Sequence, residues 1–292
     1  MKYYLILILF LFSISINTNA QVTYQTAYSN PEDVYPGYLG LHYFAVDAGF
    51  SNTSGASIWS VGADGLYPIN DKIGVDVLAL YSLFSLAKEG PAFLFNGGIE
   101  FEISKQTKPG KIPVLLAFSY EKDYMNNKEV QTWESVTLQA EVQKEFVARG
   151  GIYLRNSALE YDQGTTYFDQ TGLFQAGVYA GIGYNWKSYI HVRDSDGYTF
   201  AAGKFIRPYA DLLVIPTTVD LELNGAKAAE LNETLGWRVG AVLVAKPYTK
   251  SENFDRKFGF FGNSIFRMEF GQRPIGGFFV TTGVAFALKK FN

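Results

Sequence analysis

Phe93 to Ser104 reads FLFNGGIEFEIS. Phe93, Phe95, Ile99, Phe101 and Ile103 fall on one side of an extended strand, and Asn96, Glu100, Glu102 and Ser104 fall on the other. A helix, at about 3.6 residues per turn, would mix the two sets. Ser135 to Lys144 repeats the pattern, with Val136, Leu138, Ala140 and Val142 set against Thr137, Gln139, Glu141 and Gln143. The same period of two runs through Leu41–Phe50, Ile58–Tyr67, Ile73–Phe84, Ile112–Lys122, Gly151–Leu159, Leu173–Trp186, Tyr198–Ile215, Trp237–Lys246, Phe260–Gly271 and Phe278–Leu288. The expectation is an all-β chain of about twelve strands, with ten to fourteen compatible with the spacing.

Strand length narrows the class. Most of these stretches exceed the ~5–6 residues usual in soluble sandwiches and match the ~9–11 that a tilted strand needs to cross a bilayer. Connections alternate between tight turns, such as Pro68-Ile69-Asn70-Asp71 and Arg273-Pro274-Ile275-Gly276, and longer polar links, Glu160–Gly172 and Pro216–Gly236. That is the pattern of an antiparallel up-and-down transmembrane β-barrel. With both termini on the periplasmic side, the short Arg273 turn falls on the outer side and the longer Pro247–Gly259 link on the inner, against the usual order.

Composition agrees. The 292 residues are 16% aromatic, with 24 Phe, 20 Tyr and 4 Trp, and only 18% charged, below the ~25% of ordinary soluble domains. A net charge of −3 offers no basic field for nucleic acid. The absence of Cys and the presence of only two His exclude thiol catalysis, Cys-ligated metal and a His-built metal centre; no cofactor is implied. Trp59, Tyr67, Tyr81, Tyr120, Tyr184, Trp186 and Trp237 lie near strand ends in the apolar register, where a membrane interface places aromatics. A soluble barrel would turn the apolar set inward.

Residues 1–20 read as a signal peptide: Lys2, then the ten-residue run Tyr3–Phe12, then Thr18 and Ala20 before a cut at Gln21. No later apolar run is long enough to span a membrane as a helix. Residues 21–39, polar and Tyr-rich, are expected as an N-terminal periplasmic or plug segment, and residues 40–292 as the barrel.

On this patterning the mature chain resembles a bacterial outer-membrane β-barrel, of the small Bacteroidota type. The resemblance implies an exported protein of the outer membrane, with membrane lipid and the outer-membrane assembly machinery as partners. The chain departs from the family's frequent terminal aromatic, since Phe291 precedes Asn292 and is out of phase with Phe278, Val280, Val284, Phe286 and Leu288.

The inward register selects Asp64, Asp76, Glu100, Glu102, Glu121, Glu141, Arg155, Arg207, Asp211, Arg238, Arg267 and Glu269 as lumen-lining. Both signs are present, so two outcomes are open: a polar pathway that selects small polar solutes, or a salt-bridged interior that seals the barrel. The first makes the protein a passive pore, and eight carboxylates against four arginines would favour cations. The second makes it a structural or secretion-associated barrel that binds a partner. Enzyme activity is not expected. Glu100 and Glu102 lie on one strand face and do not flank a sugar. His42, read as interfacial, and His191, in the polar connection Lys187–Gly197, lie in no motif that would make a lipid hydrolase. Gly177, Gly181 and Gly183 stand in a strand with no helix behind them, so they ease curvature or clear lumen space rather than bind phosphate. Asn224–Leu235 alone has helical composition.

Overall fold

The computed structural model describes residues 23–34, 37–50, 57–85, 92–123, 128–159, 171–223, 226–244 and 264–290. Eleven strands are described: β1 Tyr24–Ser29, β2 Tyr38–Phe50, β3 Ser57–Pro68, β4 Ile73–Ser85, β5 Phe93–Asp123, β6 Lys128–Leu159, β7 Thr171–Asp194, β8 Thr199–Leu223, β9 Ala226–Val244, β10 Ser264–Arg273 and β11 Gly277–Lys290. From β2 to β11 each strand pairs antiparallel with its sequence neighbour, and β11 closes on β2. The result is an all-β, up-and-down closed barrel of ten strands, with β1 added against β7 outside the ring.

Twelve expected strands become ten because two of them are long. Ile112–Lys122 is the continuation of β5, and Ser135–Lys144 continues directly into Gly151–Leu159 within β6. Pro109 sits inside β5, paired with Glu141. It is tolerated because the β4 ladder ends at Phe101, so among the described residues this part of β5 has β6 on one side only and needs no N–H on the other. Two expected connections are also strand. Lys187–Gly197 is β7 as far as Asp194, and Pro216–Gly236 is a β8–β9 hairpin. Asn224–Leu235 is therefore strand from Ala226 onward rather than helix, since pairing with β8 outweighs its local propensity. Residues 1–20, expected as a signal peptide, lie outside the described residues, as do Phe291, Asn292 and the Pro247–Gly259 link.

Lys290 pairs with Tyr38, so the start of β2 and the end of β11 lie together at one end of the barrel, its terminal side. The β10–β11 turn lies at the other. There Ile275 adopts φ 61°, rare for a β-branched residue. The turn is held over the mouth: Gln175 Nε2 donates to the Pro274 carbonyl at 2.8 Å, and the Ile275 amide donates to Glu233 at 2.5 Å.

Sidedness follows the register of Phe93–Ser104. Ile99, Phe101 and Ile103 are exposed on the outer face, and Asn96 and Glu100 are buried inside. Trp59, Tyr81, Ile152, Phe174, Val178, Ile182, Leu212, Trp237, Met268, Phe270 and Phe278 extend the exposed apolar surface round the wall. Inside, one apolar cluster (Tyr38, Leu66, Phe205, Val242, Ile265) lies toward the termini and another (Ala45, Leu78, Leu80, Leu213, Ile215) toward the opposite end.

On β6 and β7 this polarity inverts past the level of Lys144 and Trp186. Phe146 and Ile152 are exposed, but Leu138, Ala140 and Val142, on the same face of β6, are buried. They pack with Ile112 and Val114 of β5 and Ile190 and Val192 of β7. Leu138, expected among lipid tails, thus lies in a protein core beyond the barrel. Thr137, Gln139 and Glu141, expected in the lumen, are exposed.

Candidate functional site

The interior between the two apolar clusters is ionic. Arg267 of β10 grips Asp64 of β3 through two hydrogen bonds, Nη2 to Oδ1 at 2.7 Å and Nε to Oδ2 at 2.8 Å. It also donates to Glu269 at 3.0 Å. Arg149 of β6 donates to Asp76 of β4 at 2.9 Å, and Arg238 of β9 donates to Asp211 of β8 at 2.8 Å. Arg207 of β8 donates to Glu100 of β5 and, at 2.9 Å, to the Tyr38 hydroxyl. Tyr209 donates to Glu269, and its ring lies 3.8 Å from the Arg149 guanidinium carbon. Glycine makes the space: a Cβ at Gly240 would collide with the Tyr209 ring, and one at Gly181 with Asp211.

A second ionic knot lies near the β10–β11 turn. Asp47 of β2 accepts from Arg155 at 3.2 Å, from Arg273 at 2.6 Å and from Thr281 at 2.6 Å.

Nine of the twelve residues expected in the lumen lie there, buried: Asp64, Asp76, Glu100, Arg155, Arg207, Asp211, Arg238, Arg267 and Glu269. Glu102 is half-buried at the terminal-side mouth. Glu141 is exposed on the part of β6 that leaves the barrel, and the Glu121 side chain lies outside the described residues. The sequence reading missed Asp47, Glu145, Arg149, Lys187 and Arg273. Arg273 reads as a turn residue in sequence, and Glu145 and Arg149 fall in the gap between two strands that are one. Their alternation with Val147 on a single face of β6 was the available signal.

These additions change the charge balance. Among the described residues the buried carboxylates are Asp47, Asp64, Asp76, Glu100, Glu145, Asp211 and Glu269. The buried cations are Arg149, Arg155, Lys187, Arg207, Arg238, Arg267 and Arg273. Seven face seven, so the acidic excess expected of the lumen is gone.

His42 is also internal rather than interfacial, 3.6 Å from Asp64. His191 lies on β7, 2.8 Å from the Tyr189 hydroxyl.

The terminal-side mouth holds a cavity of about 470 Å³. Its floor is Glu100 and Val147, and its walls carry Asn70, Asp71, Lys72, Glu102, Lys105, Glu145, Asn185 and Lys187. Glu145 accepts from Lys187 at 2.6 Å and Asn185 at 3.2 Å. The N-terminal segment adds Glu32 and Val34 to the lining. After β1, a 3-10 turn at Pro31–Asp33, capped by the Asn30 side chain, presents Glu32 to Lys105 at 2.6 Å and to Gln143 at 2.8 Å. The hydrogen bond from Lys105 holds the Glu32 carboxyl below its ordinary range. Val34 then packs into the interior cluster with Tyr38 and Leu66.

No protein-family model, curated protein or solved structure matches this chain.

Proposed function

We propose that this protein is an integral outer-membrane barrel with a sealed lumen, which works by offering its terminal-side mouth and the β5–β6 extension to a partner. The observation that carries this reading is the cross-linked ionic tier. Its charged side chains come from seven strands and are almost wholly shielded from water, and together with the Asp47 knot and the Glu145–Lys187 pair the buried charges of the described residues balance. An ion entering would have to break contacts made in a low-dielectric interior, and ten strands stand closer to the roughly eight whose interior side chains fill than to the ~16–18 that leave an aqueous channel. A passive pore for small polar solutes is the competing reading, and this packing disfavours it.

The outer wall supports the membrane part of the proposal. A water-soluble barrel buries its apolar face, whereas here that face is exposed round the wall and becomes buried only where β6 and β7 pass the level of Lys144 and Trp186. A continuous apolar face that needs protein cover beyond one level, and none before it, fits a hydrocarbon boundary at that level. The 10-residue β10 and 12-residue β3 are long enough to cross it.

Planar-bilayer recording tests the sealed lumen. The refolded chain is expected to insert without conducting, both intact and with residues 23–34 deleted. Stepwise single-channel currents from either protein would restore the pore.

A further inference from the structure

One cationic cluster sits on the outer wall where apolar exposure ends. Lys144 of β6 is directly paired with Trp186 of β7, and Ser188 of β7 with Lys204 of β8. The Lys144 and Lys204 ammonium nitrogens lie 5.7 and 4.3 Å from the centre of the Trp186 ring. Neither lysine has a carboxylate partner among the described residues. Two neighbouring donors are unused as well. Trp186 Nε1 and Ser188 Oγ are shielded from solvent and make no hydrogen bond among the described residues, and Ser188 is fully buried. Unmet buried donors cost free energy, and two ammonium groups held over one indole repel each other.

A group with several anionic oxygens answers all four features at once. Lys144 and Lys204 supply charge, and the indole N–H and the serine hydroxyl supply directed hydrogen bonds. Position selects its source. On one side of the cluster Phe146 and Ile182 are exposed in the lipid-facing register, and on the other Val142, Ile190 and Val192 are covered by protein. That level is where the phosphates of a bilayer would stand. We infer that Lys144, Trp186, Ser188 and Lys204 bind the phosphate of an anionic membrane lipid. The inference rests on the membrane reading above and adds a lipid-selective site to it.

Native mass spectrometry of the detergent-folded chain, offered equal phosphatidylglycerol and phosphatidylcholine, tests this. The wild type is expected to retain phosphatidylglycerol preferentially. The double variant K144Q/K204Q should lose that preference by on the order of tenfold, taking each basic residue near an anionic surface as worth a few-fold. K144R/K204R should keep it. Heat-modifiable gel migration, recorded on the same samples, separates the two levels of the claim. If wild type and K144Q/K204Q both migrate as folded barrels and retain phosphatidylglycerol equally, the lipid site is wrong and the membrane reading stands. Displacement of the lipid by inorganic phosphate at equal concentration would make this a free-anion site and overturn the lipid assignment. If the wild type shows no heat-modifiable form and no insertion into vesicles, the membrane reading fails and the site fails with it.

Discussion

Asp47 and Arg273 stand 226 residues apart in sequence and 2.6 Å apart in space, joining β2 to the end of β10 across the barrel mouth opposite the termini. Arg155 shares the same carboxylate at 3.2 Å, so one anion holds two buried guanidinium groups. Asp47→Asn leaves both cations without a counter-charge, and loss of one partner of a buried pair costs about 3–5 kcal/mol. Arg155→Gln leaves the Asp47–Arg273 contact in place and should cost less. Urea unfolding from lipid vesicles measures the order; a midpoint for D47N at or above that of R155Q would contradict this account of the knot.

The inversion of polarity along β6 gives three substitutions with different outcomes. Ile152 is 48% exposed on the outer wall, and Ile152→Arg should destabilise the barrel by about 2–4 kcal/mol if the residue lies near the bilayer midplane. Thr137→Arg, on the exposed face of the extension, should change stability by less than about 0.5 kcal/mol. Leu138→Arg breaks the core outside the barrel, so the heat-modifiable band should persist while proteases gain access to residues 105–142. Loss of the barrel band in L138R, with I152R unaffected, would reverse the assignment of which part of β6 meets lipid.

Glu100 and Glu102 separate the sealed tier from its rim. Glu100 is bonded to Arg207 and lies 3.5 Å from Arg149, whereas Glu102 is half-buried beside the mouth cavity. Glu100→Gln should therefore lower stability by about 3–5 kcal/mol, and Glu102→Gln by less than about 1 kcal/mol. Comparable losses in vesicle unfolding experiments would place both carboxylates in one network.

Much of this is written in the alternation of residues, because a strand turned over by one position would put its apolar set on the wrong side of the wall. Phe93–Ile103 shows both faces correctly for that reason, and the register shift between Glu102 and Ser104 leaves Ser104, expected inside, exposed. Strand continuity is harder to read. Lys105–Lys111 contains Pro109-Gly110, which looks like a turn, yet an unpaired edge makes the missing N–H harmless. The same local reading split β6 and hid Arg149, and with it the charge balance of the lumen. Ser135–Lys144 has the same alternation as a lipid-facing strand, because a period of two reports that one face is covered and says nothing about whether lipid or Ile190 covers it. The mouth cavity was not legible at all, since Glu32, Lys105 and Glu145 meet only after the barrel has closed.

The N-terminal segment should be released by acid. Glu32 is docked against Lys105 and Gln143, and the Lys105 hydrogen bond keeps its carboxyl below the ordinary range. A group whose pKa is depressed on docking favours the docked state while ionised. Its contribution is complete above the usual glutamate value of about 4.3 and fades as pH falls through the lowered one. Two other anchors to the barrel carry no carboxylate side chain: the Ser29 hydroxyl accepts from the Glu141 amide at 2.7 Å, and Val34 is buried in the interior cluster. Loosening should therefore be confined to the Glu32 turn and β1, with the barrel ladder intact. Hydrogen exchange of the β1 amides, corrected for intrinsic rates, should lose protection as pH drops below about 4. Glu32→Gln should show reduced protection at neutral pH and little further change in acid. Protection in the wild type that is flat across this range, or that falls equally in E32Q, would mean that the Glu32–Lys105 contact does not hold the segment in place.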